Sequence, residues 1–66
     1  MHKCVELFVN HYAPDRDYPI HHRLTVALMV GLPRVWDDLE DRRYSISETA
    51  KLIEDNLTVK QMDEIM

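Results

Sequence analysis

Asp37, Asp38 and Asp41 stand at positions i, i+1 and i+4 of one short acidic stretch. On a helix this spacing puts Asp37 and Asp41 on the same face, an arrangement able to hold magnesium and, through it, a diphosphate. Chemistry of that kind needs an enclosing helical cavity, larger than 66 residues can build. The stretch also carries its own neutralisers, with Asp38 facing Arg42 at i+4 and Glu40 facing Arg43 at i+3. The expectation is therefore a solvated helix face.

The soft and borderline ligands His2, Cys4, His11, His21 and His22 are numerous enough for a zinc site, which takes four. Their spacings do not suit one, because no Cys pair and no His-x₃₋₅-His pattern is present. His21 and His22 are neighbours on a predicted helix and point about 100° apart. They are expected at the solvent-facing start of that helix. Cys4 could serve as a nucleophile beside a histidine, but no third group is placed to orient the base. Gly31 is the one glycine, so no glycine-rich phosphate loop can form. These readings point to no cofactor, no metal and no enzyme.

Residues 45–62, Ser-Ile-Ser-Glu-Thr-Ala-Lys-Leu-Ile-Glu-Asp-Asn-Leu-Thr-Val-Lys-Gln-Met, have the outline of a helix-turn-helix. Ala50 supplies the small residue such a first helix needs, and Asn56 could take a left-handed conformation in the turn. Reading DNA requires cations on the second helix. From Ser45 to Met66 two basic residues, Lys51 and Lys60, stand against five acidic ones, Glu48, Glu54, Asp55, Asp63 and Glu64, a net −3 of the total −4. Phosphate repulsion argues against nucleic acid as a partner, so this regulator-like use of residues 45–66 is the alternative reading. A second alternative is an inhibitor whose acidic surface mimics nucleic acid.

The elements that must carry these groups are helices. One glycine and three prolines leave little turn material, while helix formers abound. Val5, Phe8, Val9 and Tyr12 form one helical face, closed by Ala13-Pro14-Asp15. A central helix over about 20–30 carries Ile20, Leu24, Ala27 and Leu28 on one face and Val26, Met29 and Val30 on the others, the pattern of a helix buried nearly all round. Gly31 in a left-handed conformation, with Leu32 packing back, is expected to end it, and Pro33 opens the next. That third helix carries Leu32, Val35, Trp36 and Leu39 inward, with Asp37 and Asp38 near its positive end and Arg42 and Arg43 near its negative end. Ser45 with Glu48, and Thr58 with Gln61, read as capping boxes. The helices they open bury Ile46, Ala50, Ile53 and Leu57, then Val59, Met62 and Ile65.

The whole chain, 1–66, thus reads as one all-α domain of four to five short helices, 45 % hydrophobic and 30 % charged. The longest apolar run, Val26–Leu32, is far short of the roughly 20 residues a membrane span needs. No signal segment is evident, and the lone Cys4 suits a reducing compartment, so a cytoplasmic protein is expected. So small a core gains from a second subunit or a larger partner. The expected function is protein–protein interaction, as a homodimer or as a regulator, inhibitor or adaptor. Residues of the types enriched at interfaces mark the expected surface: Tyr12, Tyr18, Trp36, Asp37, Asp41, Arg43 and Tyr44. Trp36 could equally anchor the core through its place in the Val35–Leu39 stripe.

Overall fold

Pro33 decides where the chain first breaks its helical run. A proline disfavours the α conformation in the residue before it and has no N–H to bond backwards. In the computed structural model, which describes residues 3–39 and 43–65, Leu32 accordingly leaves the helical region at φ −133°, ψ 62°. It alone joins two helices. Its N–H donates to the Leu28 carbonyl at 2.9 Å and its carbonyl accepts from the Trp36 N–H at 3.0 Å.

Among the described residues five helices follow in order: α1 (Lys3–Tyr12), α2 (Ile20–Gly31), α3 (Pro33–Asp38), α4 (Ile46–Asn56) and α5 (Val59–Ile65). The fold is all-α, with no strand among the described residues. The radius of gyration is 10.8 Å, the size expected of a tightly packed chain of this length. No helix among the described residues is long and apolar enough to cross a membrane.

The capping boxes form as the sequence predicts. Ser45 Oγ accepts from the Glu48 N–H at 3.1 Å while Glu48 Oε1 accepts from the Ser45 N–H at 3.5 Å. Thr58 Oγ1 accepts from the Gln61 N–H at 3.2 Å, and Gln61 Oε1 accepts from the Thr58 N–H at 3.3 Å. Gln61 does more than cap. Its Nε2 donates to the Gly31 carbonyl at 3.1 Å, satisfying one of the last-turn carbonyls that α2 leaves without an intrahelical partner and tying α5 to the end of α2.

The core is one cluster built from Val5, Phe8, Val9 and Ala13 of α1 and its end, Leu24, Ala27 and Leu28 of α2, Leu32 at the junction, and Ile53 of α4. Helix α1 packs against α2, α4 and α5, and α2 also packs against α3 and α4. Helices α3 and α5 bury no residue fully. They close the core with the half-buried Val35, Trp36 and Ile65, joined by Leu39 and Leu57 at the ends of α3 and α4.

Several packing expectations need correction. Gly31 is not left-handed, since no described residue has a positive φ; the glycine is demanded by space instead. A Cβ there would stand 2.7 Å from Phe8 Cε2 and 2.8 Å from Tyr12 Cδ2, and closer still to Phe8 Cζ. Helices α1 and α2 thus meet closest where no side chain intervenes. Asn56 likewise stays helical, its Nδ2 donating to the Leu52 carbonyl at 2.7 Å. Helix α2 is buried on one side only, with Met29 and Val30 exposed.

Helix α3 ends at Asp38 with Leu39 extended at φ −74°, ψ 123°, so Asp37 and Asp38 occupy its last turn rather than its positive end. Two aspartates are poor helix formers and face the negative end of the dipole there, which favours termination. On α4, Thr49 is buried in place of Ile46, its hydroxyl donating to the Ser45 carbonyl at 2.9 Å. Val59, at the start of α5, is 80 % exposed.

Candidate groove and cleft along helices α1 and α2

The segment joining α1 to α2 is shaped by short polar contacts. The Ala13 N–H extends α1 by bonding the Val9 carbonyl at 2.7 Å. The Asp15 carboxylate accepts from the Asp17 N–H at 3.0 Å, an Asx turn that reverses the chain. Pro19 then starts α2, its carbonyl accepting from the N–H groups of His22 and Arg23, both at 3.1 Å. The result is a bent loop, with Tyr18 held out at its tip and 52 % exposed.

Arg23 locks this loop to both helices. Its Nε donates to the Ala13 carbonyl at 3.0 Å and its Nη2 to Asn10 Oδ1 at 2.9 Å. The guanidinium therefore caps α1 at the negative end of its dipole, where a cation is favoured. Arg23 also divides two depressions. One, of about 220 Å³, is an apolar groove whose walls include Tyr12, Pro14, Tyr18, His22 and Val26. The other, of about 260 Å³, is a polar cleft lined by Glu6, Val9, Asn10, Arg16, Ile20 and Arg23.

The groove is furnished with aromatic rings. Tyr18 stacks on His22, ring centroids 4.7 Å apart with planes inclined 31°. Tyr12 packs against Phe8 at 4.8 Å and meets the edge of His11 at 4.7 Å. Such a surface offers a π face, a phenol hydroxyl and an apolar floor, the combination that accepts an apolar or aromatic side chain.

Of the surface residues expected from sequence, Tyr12 and Tyr18 are therefore brought together. Tyr44, 38 % exposed, lines a different groove with Glu48, Lys51, Leu52 and Asp55, and Arg43 lies exposed just before it. Trp36 and Asp37 are on α3, the tryptophan half-buried against the core and the aspartate exposed. Asp41 falls outside the described residues, as do Glu40 and Arg42, so the proposed pairing of Asp38 with Arg42 does too. His21 and His22 are exposed at the start of α2. Among the described residues no group of three or more His, Cys, Asp or Glu side chains comes together as a metal site would require.

Sequence reasoning did not mark His22, Val26, Arg16 or, above all, Arg23 as residues of a binding surface. The available signal was Arg23 itself, a charged residue sharing the core-facing stripe of Ile20, Leu24 and Ala27. A cation in that place must find acceptors. That they would be Asn10 and Ala13 could not be read from spacing.

Residues 45–66 form α4, the two-residue link Leu57-Thr58 and the seven residues of α5. The exposed charges of α5 are Lys60, Asp63 and Glu64. Comparison with family models, curated proteins and solved structures finds no match to this chain.

Proposed function

We propose that this is an acidic cytoplasmic protein working by protein–protein contact, as a regulator, inhibitor or adaptor of a larger partner and with a tendency to self-associate. The observation that supports this reading is the apolar groove beside Tyr12 and Tyr18, open to solvent and rimmed by polar groups. Tyrosine presents large contact area at low conformational cost, and such residues carry much of the energy at interfaces. Tyr18 is held by its loop and by His22 rather than by the core, so its exposed ring is placed before any partner arrives. The partner that fits inserts an apolar or aromatic side chain between the two tyrosines. Asp15 at the rim and the net charge of −4 favour basic residues flanking that side chain.

The test compares wild type with Tyr18→Ser, a change at an exposed side chain expected to leave the fold intact. Light scattering reads self-association, and retention from a cell lysate reads partner binding. Retention or dimerisation by wild type that is lost in Tyr18→Ser supports the reading. A wild-type protein that stays monomeric and retains nothing would sink it, and equal behaviour of both proteins would remove the groove as the contact surface.

A further inference from the structure

The polar cleft on the other side of Arg23 contains an imbalance of charge. Two guanidinium groups, Arg16 and Arg23, line it against one carboxylate, Glu6. No ion pair joins any of the three. Arg23 is half-buried, and both of its hydrogen-bond acceptors, the Ala13 carbonyl and Asn10 Oδ1, are neutral. A cation partly withdrawn from water without a counter-charge is unfavourable, and it gains most from an anion that reaches it.

The donors remaining suit such an anion. A guanidinium carries five N–H groups, of which Arg23 commits two, one on Nε and one on Nη2. Its plane is fixed by those two bonds, so its remaining donors are already oriented. Fixed, forked donors are the geometry that recognises carboxylate and phosphate oxygens. Arg16, exposed in the loop between α1 and α2, brings a second set of donors to the same cleft. Val9 and Ile20 supply apolar wall on either side, which lowers the local dielectric and strengthens each charged contact.

We propose that this cleft is an oxyanion site, in which a carboxylate or phosphate group is held between Arg16 and Arg23. Glu6 on the same cleft limits the charge the site accepts. Asp15 and Asp17 flank Arg16 in sequence, and Asp15 faces the neighbouring groove. The site therefore favours a singly charged group over a highly charged one. It stands independently of the apolar groove and of any protein partner.

The experiment titrates the full chain with sodium phosphate and, separately, with sodium acetate, holding ionic strength constant with sodium chloride. Two-dimensional NMR follows the Arg23 Nε–H, which its bond to Ala13 should hold in slow exchange with water, together with the backbone amides of Asn10 and Ile20. A saturable shift at millimolar phosphate or acetate is expected, and the arm that produces it tells which source of oxygens the site takes. Arg16→Gln should weaken binding about tenfold or more, as the loss of a charge-assisted bond does, with an unchanged melting temperature. Glu6→Gln should tighten it. No saturable shift with either anion, a shift reproduced by chloride, or unaltered affinity in Arg16→Gln would each overturn the assignment.

Discussion

Replacing Gly31 with alanine tests how closely α1 and α2 are packed, because two opposite effects meet at one methyl group. Helix propensity alone favours alanine over glycine by up to about 1 kcal/mol. The added Cβ, however, would lie 2.7 Å from Phe8 Cε2 and 2.8 Å from Tyr12 Cδ2, well inside van der Waals contact. Tyr12 is half-buried and can give a little. Phe8 is 0 % exposed, and its ring is held between Tyr12 and the rest of the core, so relief requires α1 and α2 to separate. Overpacking of this kind costs about 1–3 kcal/mol. Because the overlap lies under 3 Å and Phe8 cannot move aside, the clash takes the upper part of that range, about 2–3 kcal/mol, and the net expectation is a loss of about 1–2 kcal/mol. In a domain this small each kcal/mol lowers the melting temperature by roughly 4–8 °C, so a circular-dichroism melt should fall by about 5–15 °C. The same methyl introduced into Phe8→Leu, which lacks the ring tip, should cost less, giving a coupling of about 1 kcal/mol in a double-mutant cycle. A Gly31→Ala protein as stable as wild type, or more so, would refute the close approach of the two helices.

Three further perturbations address other parts of the fold. Leu28→Asp places a carboxylate in a fully buried position and should leave the chain unfolded by circular dichroism; a folded variant would contradict the placement of α2. Ser45→Ala removes the acceptor for the Glu48 N–H and should cost about 1 kcal/mol in urea unfolding; an unchanged midpoint would show that the cap contributes nothing. Trp36→Ala should destabilise by about 2–3 kcal/mol, below the ~3–5 kcal/mol of a fully buried aromatic residue, because the indole is only half-buried. A loss of less than about 0.5 kcal/mol there would place its weight outside the core.

What sequence makes legible here is local. The stripes Val5-Phe8-Val9 and Leu24-Ala27-Leu28 follow a helical period and are buried as that period implies. Both capping boxes are short-range patterns, and both form. Features set by distant chain segments were less accessible. Ile46 and Ile53 share the α4 stripe, yet Ile53 is in the core while Ile46, two turns away in the first turn of the helix, is 45 % exposed. Val59 fits an inward period on α5, but that helix covers the core with its Ile65 end and with Gln61 bonded to Gly31. Gly31 carried a correct signal with the wrong cause: a glycine before Pro33 suggests a left-handed cap, whereas its absent side chain leaves room for Phe8. The groove follows the same division. Tyr12 and Tyr18 were marked by residue type, but the loop that places them on one surface depends on Arg23 reaching a carbonyl ten positions away.

The position of α1 also has a consequence for how the molecule comes into being. Helix α1 is synthesised before α4 and α5, on which, besides α2, its burial depends. Until Ile53 has emerged, the faces of Val5 and Phe8 lack part of their final surroundings, and α1 with α2 alone forms an open pair with exposed apolar surface. The core is therefore complete only after Ile53 and the helices around it have been synthesised. Val5, Phe8 and Leu24, fully enclosed in the finished fold, keep part of their apolar surface open to water during that interval.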